Sequence, residues 1–201
     1  MYDFGYIDPV RLGWQAKAGL MTDGASIPGW ARLIIGGAWE KQFVRAAVIH
    51  DWYCIRTVRT RRMTHRMFYN ALIEGGVTRS KALAMYYGVV VGSHMWISLI
   101  EGRPCNGLEN CVQNVNGSVQ IPDTVVKKND NGDLVAYRAS RFGNPDIAKD
   151  ILDASTIIES GLIDNPDDVD ALALSRHPND FFLIYGDSIV YQGPSSKYPD
   201  R

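Results

Sequence analysis

Apolar residues recur along the first half of this chain with a helical period. Phe43, Ala47, His50 and Cys54 follow one another at spacings of four, three and four, which marks a single helix face. The spacing predicts a helix over residues 38–55 with His50 in the middle of its inward face and Asp51 beside it. A second helix is predicted over 62–74, with His65, Phe68 and Leu72 inward and Gly75-Gly76 ending it. A third starts with Thr78 or Ser80 as N-cap and is expected to run to residue 100. Upstream, Gly5, Pro9, Gly13 and Gly19 punctuate short apolar pieces, so residues 1–21 read as a loop or hairpin entry. Residues 22–28 (Thr-Asp-Gly-Ala-Ser-Ile-Pro) form a turn signal, and Gly36-Gly37 end a short helix over 30–35.

Past residue 101 the pattern changes. Residues 102–117 are rich in Gly, Asn and Cys and read as a linker or long loop. Residues 119–126 and 134–138 flank Asn131-Gly132, which predicts a hairpin. Residues 145–160 read as helix, and a second hairpin is expected from 181–185 and 188–192 around Gly186-Asp187. The expected architecture is a mainly α N-terminal domain of three principal helices over residues 1–103, followed by an α+β region over 104–201.

Composition adds one asymmetry. Residues 1–103 carry 13 Lys/Arg against 7 Asp/Glu, whereas residues 104–201 carry 8 against 15, although the whole chain has a net charge of -1. Two regions of opposite sign face each other, bind different partners or are uneven solvated surfaces. Nucleic acid is disfavoured as a partner by that net charge and by the lack of a basic motif interleaved with aromatics. Residues 82–100 contain no charged side chain, a length that reaches across a bilayer. Ser93, His94 and Ser98 inside it, and the small-residue stripe Ala84, Gly88 and Gly92, favour a buried core helix. Residues 1–20 lack the basic start and apolar run of a leader peptide. Cys105 and Cys111 enclose a short loop that a disulfide could close, leaving Cys54 over.

The chemistry-bearing residues lie in the first half. Adjacent helical residues point about a hundred degrees apart, so His50 and Asp51 cannot form a dyad with each other but can serve two neighbouring sub-sites. Asp23 and Asp51, with backbone carbonyls near Gly24, are the hard-oxygen donors that calcium prefers. His50 and His65 sit on the inward faces of neighbouring helices, and two imidazoles with a carboxylate suit zinc instead. Arg56, Arg59, Arg61, Arg62 and Arg66 form a basic run, either a solvated loop or a rim for an anionic substrate. Cys54 and His50 lie one turn apart on one helix, with no loop to expose the sulfur, which argues against a cysteine nucleophile.

The order Asp23-Gly24-Ala25-Ser26-Ile27-Pro28, then His50-Asp51-Trp52-Tyr53, an Arg-rich turn and Phe68 resembles the prokaryotic phospholipases A2. That resemblance implies a phospholipase-A2-like helical fold, His50 as general base, and Asp23, Gly24 and Asp51 as calcium ligands. The residue pattern over about 19–96 is also similar to the bacterial and phage family called domain of unknown function 1353, which implies a phage-encoded or phage-derived chain and no settled activity. Both families place an aspartate three residues before the Phe68 position, where this chain has His65. The change means either that His50 and His65 share a metal or a proton, or that the site is no longer hydrolytic.

Three functions follow as expectations. The first is a metal-dependent hydrolase of phospholipid-like esters, with calcium or alternatively zinc, His50 and His65 as catalytic residues, and Tyr53, Arg56, Arg59 and Arg62 holding a lipid or anionic polymer. The second is a non-enzymatic phage structural or binding protein that docks on a partner, or on its own copy, through the acidic half. The third is an antibacterial hydrolase of peptidoglycan, secreted by a non-classical route.

Overall fold

A computed structural model describes residues 3–19, 41–101, 111–113 and 123–192. The entry segment is a hairpin, β1 (Phe4–Ile7) and β2 (Gly13–Ala16), antiparallel with Phe4 opposite Ala16. Asp8 shapes its turn, accepting from the Val10 and Leu12 amides through Oδ1 and from Trp14 Nε1 through Oδ2. Trp14 and Ala16 alternate inward along β2 and pack on Val48, Ile49, Tyr53 and Met67.

Helices α1 (Lys41–Arg56) and α2 (Arg61–Glu74) pack against one another. Thr60 caps α2 by accepting from the Met63 amide, and the Gly75-Gly76 stop has Gly76 at φ 86, a left-handed conformation glycine adopts without strain. Helix α3 (Arg79–Gly92) is buried at every position from Ala82 to Gly92. An all-apolar helix of this kind belongs in a protein core. Among the described residues no helix is long and apolar enough to cross a membrane.

The expectation of a mainly α N-terminal domain is corrected here: the chain is an α+β mixture. The third helix ends at Gly92, eight residues before its expected end, and Met95–Glu101 is strand β3. β3 is central to a five-stranded sheet in the order β4 (Cys111–Gln113), β7 (Ile189–Gln192), β3, β6 (Leu134–Arg138), β5 (Val125–Lys128). It pairs antiparallel with β6 and parallel with β7. An apolar run without charges reads alike as helix or central strand, and partners brought from far along the chain decide between them. Met95, Ile97 and Leu99 form a second core with Ala136 and Phe182.

The β5–β6 hairpin forms as expected around Asn131-Gly132. The hairpin expected from 181–185 and 188–192 does not. Phe181–Tyr185 is a short helix, α6, which Asp180 caps by accepting from the Phe182 amide, while β7 pairs in parallel with β3 and β4. Helix α4 (Pro145–Glu159) starts at its Asn144 cap and presents Ile147, Ile151 and Ile158 to the core. Gly92 makes room for Phe142 just ahead of it: a Cβ there would lie 2.5 Å from Phe142 Cε1 and 3.4 Å from Ile147, whereas one on Gly88 would make ordinary contact with Ile151 at 3.7 Å. Helix α5 (Pro166–Arg176) is not predicted from the sequence, because only Val169 and Ala173 of it are buried and its periodicity is faint.

The two oppositely charged regions meet inside the chain. Arg62 and Arg66 pair with Asp167 and Asp170, and Arg56 pairs with Asp130. A more buried junction centres on Asp150, which accepts from Tyr87 Oη at 2.6 Å, Arg176 Nε at 2.6 Å and His177 Nε2 at 2.9 Å. Burial pushes the Asp150 carboxyl up, but the bonds from His177, Tyr87 and Arg176 outweigh it and hold the pKa down at about 2. A folded-state pKa below the unfolded one gives stability that is present above about pH 4 and is lost as pH falls toward the folded value. Asp150→Asn is therefore expected to cost about 2 kcal/mol at pH 7 and to flatten the acid limb of the stability profile. Urea titrations at neutral pH and near pH 3 measure this; an unchanged acid limb would contradict it.

Candidate functional site

His50 and His65 approach from facing helices. His50 Nε2 lies 2.9 Å from His65 Nδ1, within hydrogen-bond reach, and the rings are tilted by 34°. Helical periodicity places both side chains inward, and Phe68 and Trp96 wall the pair in, with ring centroids 4.8 Å from His50 and 6.0 Å from His65. His50 is 4% exposed and His65 is fully buried. Cys54, one turn beyond His50, sits with its sulfur 3.5 Å from His50 Nε2 and 3.9 Å from Ser93 Oγ.

The two imidazoles are pushed in opposite directions. Burial disfavours a charge on His50, but the Cys54 sulfur and the Asp51 carboxylate beside it prevail and raise its pKa to about 10. Burial, then the charges of His50, Arg61 and His94, hold His65 well below the usual histidine range. This assigns His50 as the donor, Nε2–H to His65 Nδ1, and leaves the single N–H of neutral His65 on Nε2. That atom is buried and has no hydrogen-bond partner among the described residues.

Of the other residues singled out from the sequence, Asp51 lies next to His50, its Oδ1 3.6 Å from His50 Nδ1, too long for a hydrogen bond. Asp23 and Gly24 lie outside the described residues, as does the Cys105 side of the proposed disulfide; Cys54 is a free, buried thiol. Tyr53 packs edge-on against Trp14, and Arg59 stacks over Trp14 at 4.0 Å and donates to the Gly13 carbonyl. Arg56 and Arg62 are engaged with aspartates of the second half. The structure thus brings His50, His65 and Asp51 together and uses Tyr53, Arg56, Arg59 and Arg62 in contacts within the chain.

A cleft of about 570 Å³ reaches His65. Val90, Leu174, Leu183 and Ile184 give it apolar walls, and Arg61, Arg62, Asp170 and Asp187 a charged border. Arg61, a member of the basic run, is buried and donates to the Phe182 carbonyl at 2.9 Å.

The donors that converge here are nitrogen and sulfur. His50, Cys54 and His65 offer ligand atoms within 4.8 Å of one another. Calcium takes six to eight oxygens, and of the ligands expected for it only Asp51 lies among the described residues. Cys54 was visible on the His50 face from its spacing, but nothing local showed that His65 would meet both.

Residues 1–89 match the model of a family described as "Protein of unknown function (DUF1353)". The chain is 40% identical over 141 residues to the uncharacterized protein y4iH of Sinorhizobium fredii (strain NBRC 101917 / NGR234), covering 69% of this chain and 59% of that protein. It is 43% identical over 107 residues to the uncharacterized protein y4jT of the same strain, covering 53% of this chain and 31% of that one. The chain therefore spans less than two thirds of the length of either relative. No solved structure matches it.

Proposed function

We propose that this chain is a metal-dependent hydrolase of lipid-like esters whose reacting groups are His50 and His65. One observation carries the reading: two buried imidazoles at 2.9 Å, one of which, His65, lines a cleft with apolar walls and a charged border. Such a pair holds one proton on the line between its nitrogens, and with His50 held protonated to about pH 10 it can give that proton to a leaving alkoxide. His65 stands where a carboxylate stands in the phospholipases A2 that the motif order resembles, and it orients His50 by accepting its Nε2 proton. A bound metal would polarise the ester carbonyl and acidify water. The apolar walls suit an acyl chain.

The test is fatty-acid release from phosphatidylcholine vesicles, alongside cleavage of a soluble nitrophenyl ester, with added calcium or zinc and after chelation. Hydrolysis that chelation removes and one of the metals restores is the expected result. A folded, metal-supplemented chain that cleaves neither substrate overturns the reading.

The near-complete burial of His50, Cys54 and His65 favours a second reading, a non-enzymatic binding or structural protein in which the cluster only ties α1 to α2. That reading predicts no turnover of any ester, together with loss of stability when the cluster is disrupted.

A further inference from the structure

The hydrolase reading leaves its metal unnamed and gives Cys54 no part. Among the described residues, His50, Cys54 and His65 are the one group of three metal-ligating side chains that converge. His50 and Cys54 are four residues apart on α1, so their side chains stack on one face; His65 comes from α2.

The distances fit a particular ion. Tetrahedral zinc, with bonds of about 2.0–2.1 Å to nitrogen and 2.3 Å to sulfur, separates two nitrogens by about 3.3 Å and a nitrogen from a sulfur by about 3.6 Å. The Cys54 Sγ to His50 Nε2 distance is 3.5 Å, and the two imidazole nitrogens stand 2.9 Å apart. The third pair, Cys54 with His65, stands within 4.8 Å, so an ion would enter by widening the histidine contact by about 0.4 Å and drawing the sulfur toward His65 by up to about 1 Å.

We infer that His50 Nε2, Cys54 Sγ and His65 Nδ1 form a zinc-class metal site in which Cys54 is the thiolate ligand and one coordination position stays open. Two nitrogens and a sulfur are a borderline-soft set, which selects zinc over calcium or magnesium. Binding makes one metal–sulfur and two metal–nitrogen bonds, and the protons of the thiol and of the histidine pair leave to solvent. Three ligands with an open position is the arrangement of hydrolytic rather than structural zinc. The inference rests on the hydrolase reading for its ester substrate and names its metal; with the ion bound, His50 and His65 would hold it in place of their shared proton, and the site is tested separately from catalysis.

The chain is produced with zinc in the medium, dialysed, and its metal content measured by plasma mass spectrometry; cobalt(II) is then exchanged in and absorption spectra recorded. The expected result is about one zinc per chain, and in Cys54→Ser and His65→Ala an affinity lower by at least about tenfold. The cobalt form of the unaltered chain should show a sulfur-to-cobalt charge-transfer band, which does not depend on whether any variant folds. Ser93→Ala, beside the sulfur but not a ligand, should keep its zinc. A folded wild-type chain without zinc overturns the site, and bound cobalt without the charge-transfer band overturns the role of Cys54. Zinc bound without ester hydrolysis upholds this inference and removes the hydrolase reading; hydrolysis without zinc does the reverse.

Discussion

Replacing His50 with glutamine is expected to lower ester hydrolysis by about 10²–10⁴-fold, the range contributed by general acid–base catalysis, with little change in fold. Glutamine keeps a polar end near His65, so the packing against Phe68 is largely preserved, but it can neither hold nor pass the proton. The chain itself provides the control. Arg56 is partly exposed and paired with Asp130 about two turns from His50 along α1, and Arg56→Ala should change kcat/KM by no more than a few-fold. Steady-state kinetics on the three proteins, with circular dichroism to confirm folding, measure both effects. Equal activity in His50→Gln and the parent would place hydrolysis at some other site.

The largest effect on stability is expected from Asp180→Ala, at about 3–5 kcal/mol, the usual cost of removing one partner from a buried ion pair. The Asp180 side chain is 5% exposed and accepts from Arg138 at 2.7 Å and from Arg141 at 3.2 Å, and it also caps α6 at the Phe182 amide. Without the carboxylate, two guanidinium groups face each other in a poorly solvated pocket and the turn into α6 loses its cap. For a chain of this size the loss corresponds to a drop in Tm on the order of 10 °C. Asp167 makes ion pairs of similar length with Arg62 and Arg66, yet its side chain is 76% exposed, so Asp167→Ala should cost no more than about 1 kcal/mol. Thermal and urea unfolding compare the two directly. Similar losses at both positions would show that burial is not what gives the Asp180 pair its strength.

These two sites differ in how they could be read from the amino-acid string. His50, Cys54 and His65 announce themselves through the helical repeat, since position along a helix specifies which face a side chain occupies whatever surrounds it. Asp180 does not. Its value comes from Arg138 and Arg141, some forty residues earlier, and from a cap on a helix that local sequence suggests is a strand. Phe181–Tyr185 is aromatic and β-branched, but a capping aspartate and the burial of Phe182 make it helical.

The same division runs through the whole chain. Local order was already present in the sequence: the Asp8 and Asn131-Gly132 turns, the α1 and α2 faces, the glycine stop at residue 76 and the start of α4 at Asn144-Pro145 each depend on a few neighbouring residues. What the tertiary structure decided is every feature that needs a distant partner. Residues 95–101 became a strand because β6 and β7 flank them, and the oppositely charged halves paired because α5, packed on α3, brings Asp167 and Asp170 within reach of Arg62 and Arg66. The histidine that replaces an aspartate was legible as a substitution. Only the packing of α2 on α1 set its nitrogen 2.9 Å from His50 and brought the Cys54 sulfur within ligand range. Periodicity is a property of one segment, whereas a donor set is a convergence of several, and convergence is determined by the packing of the whole core.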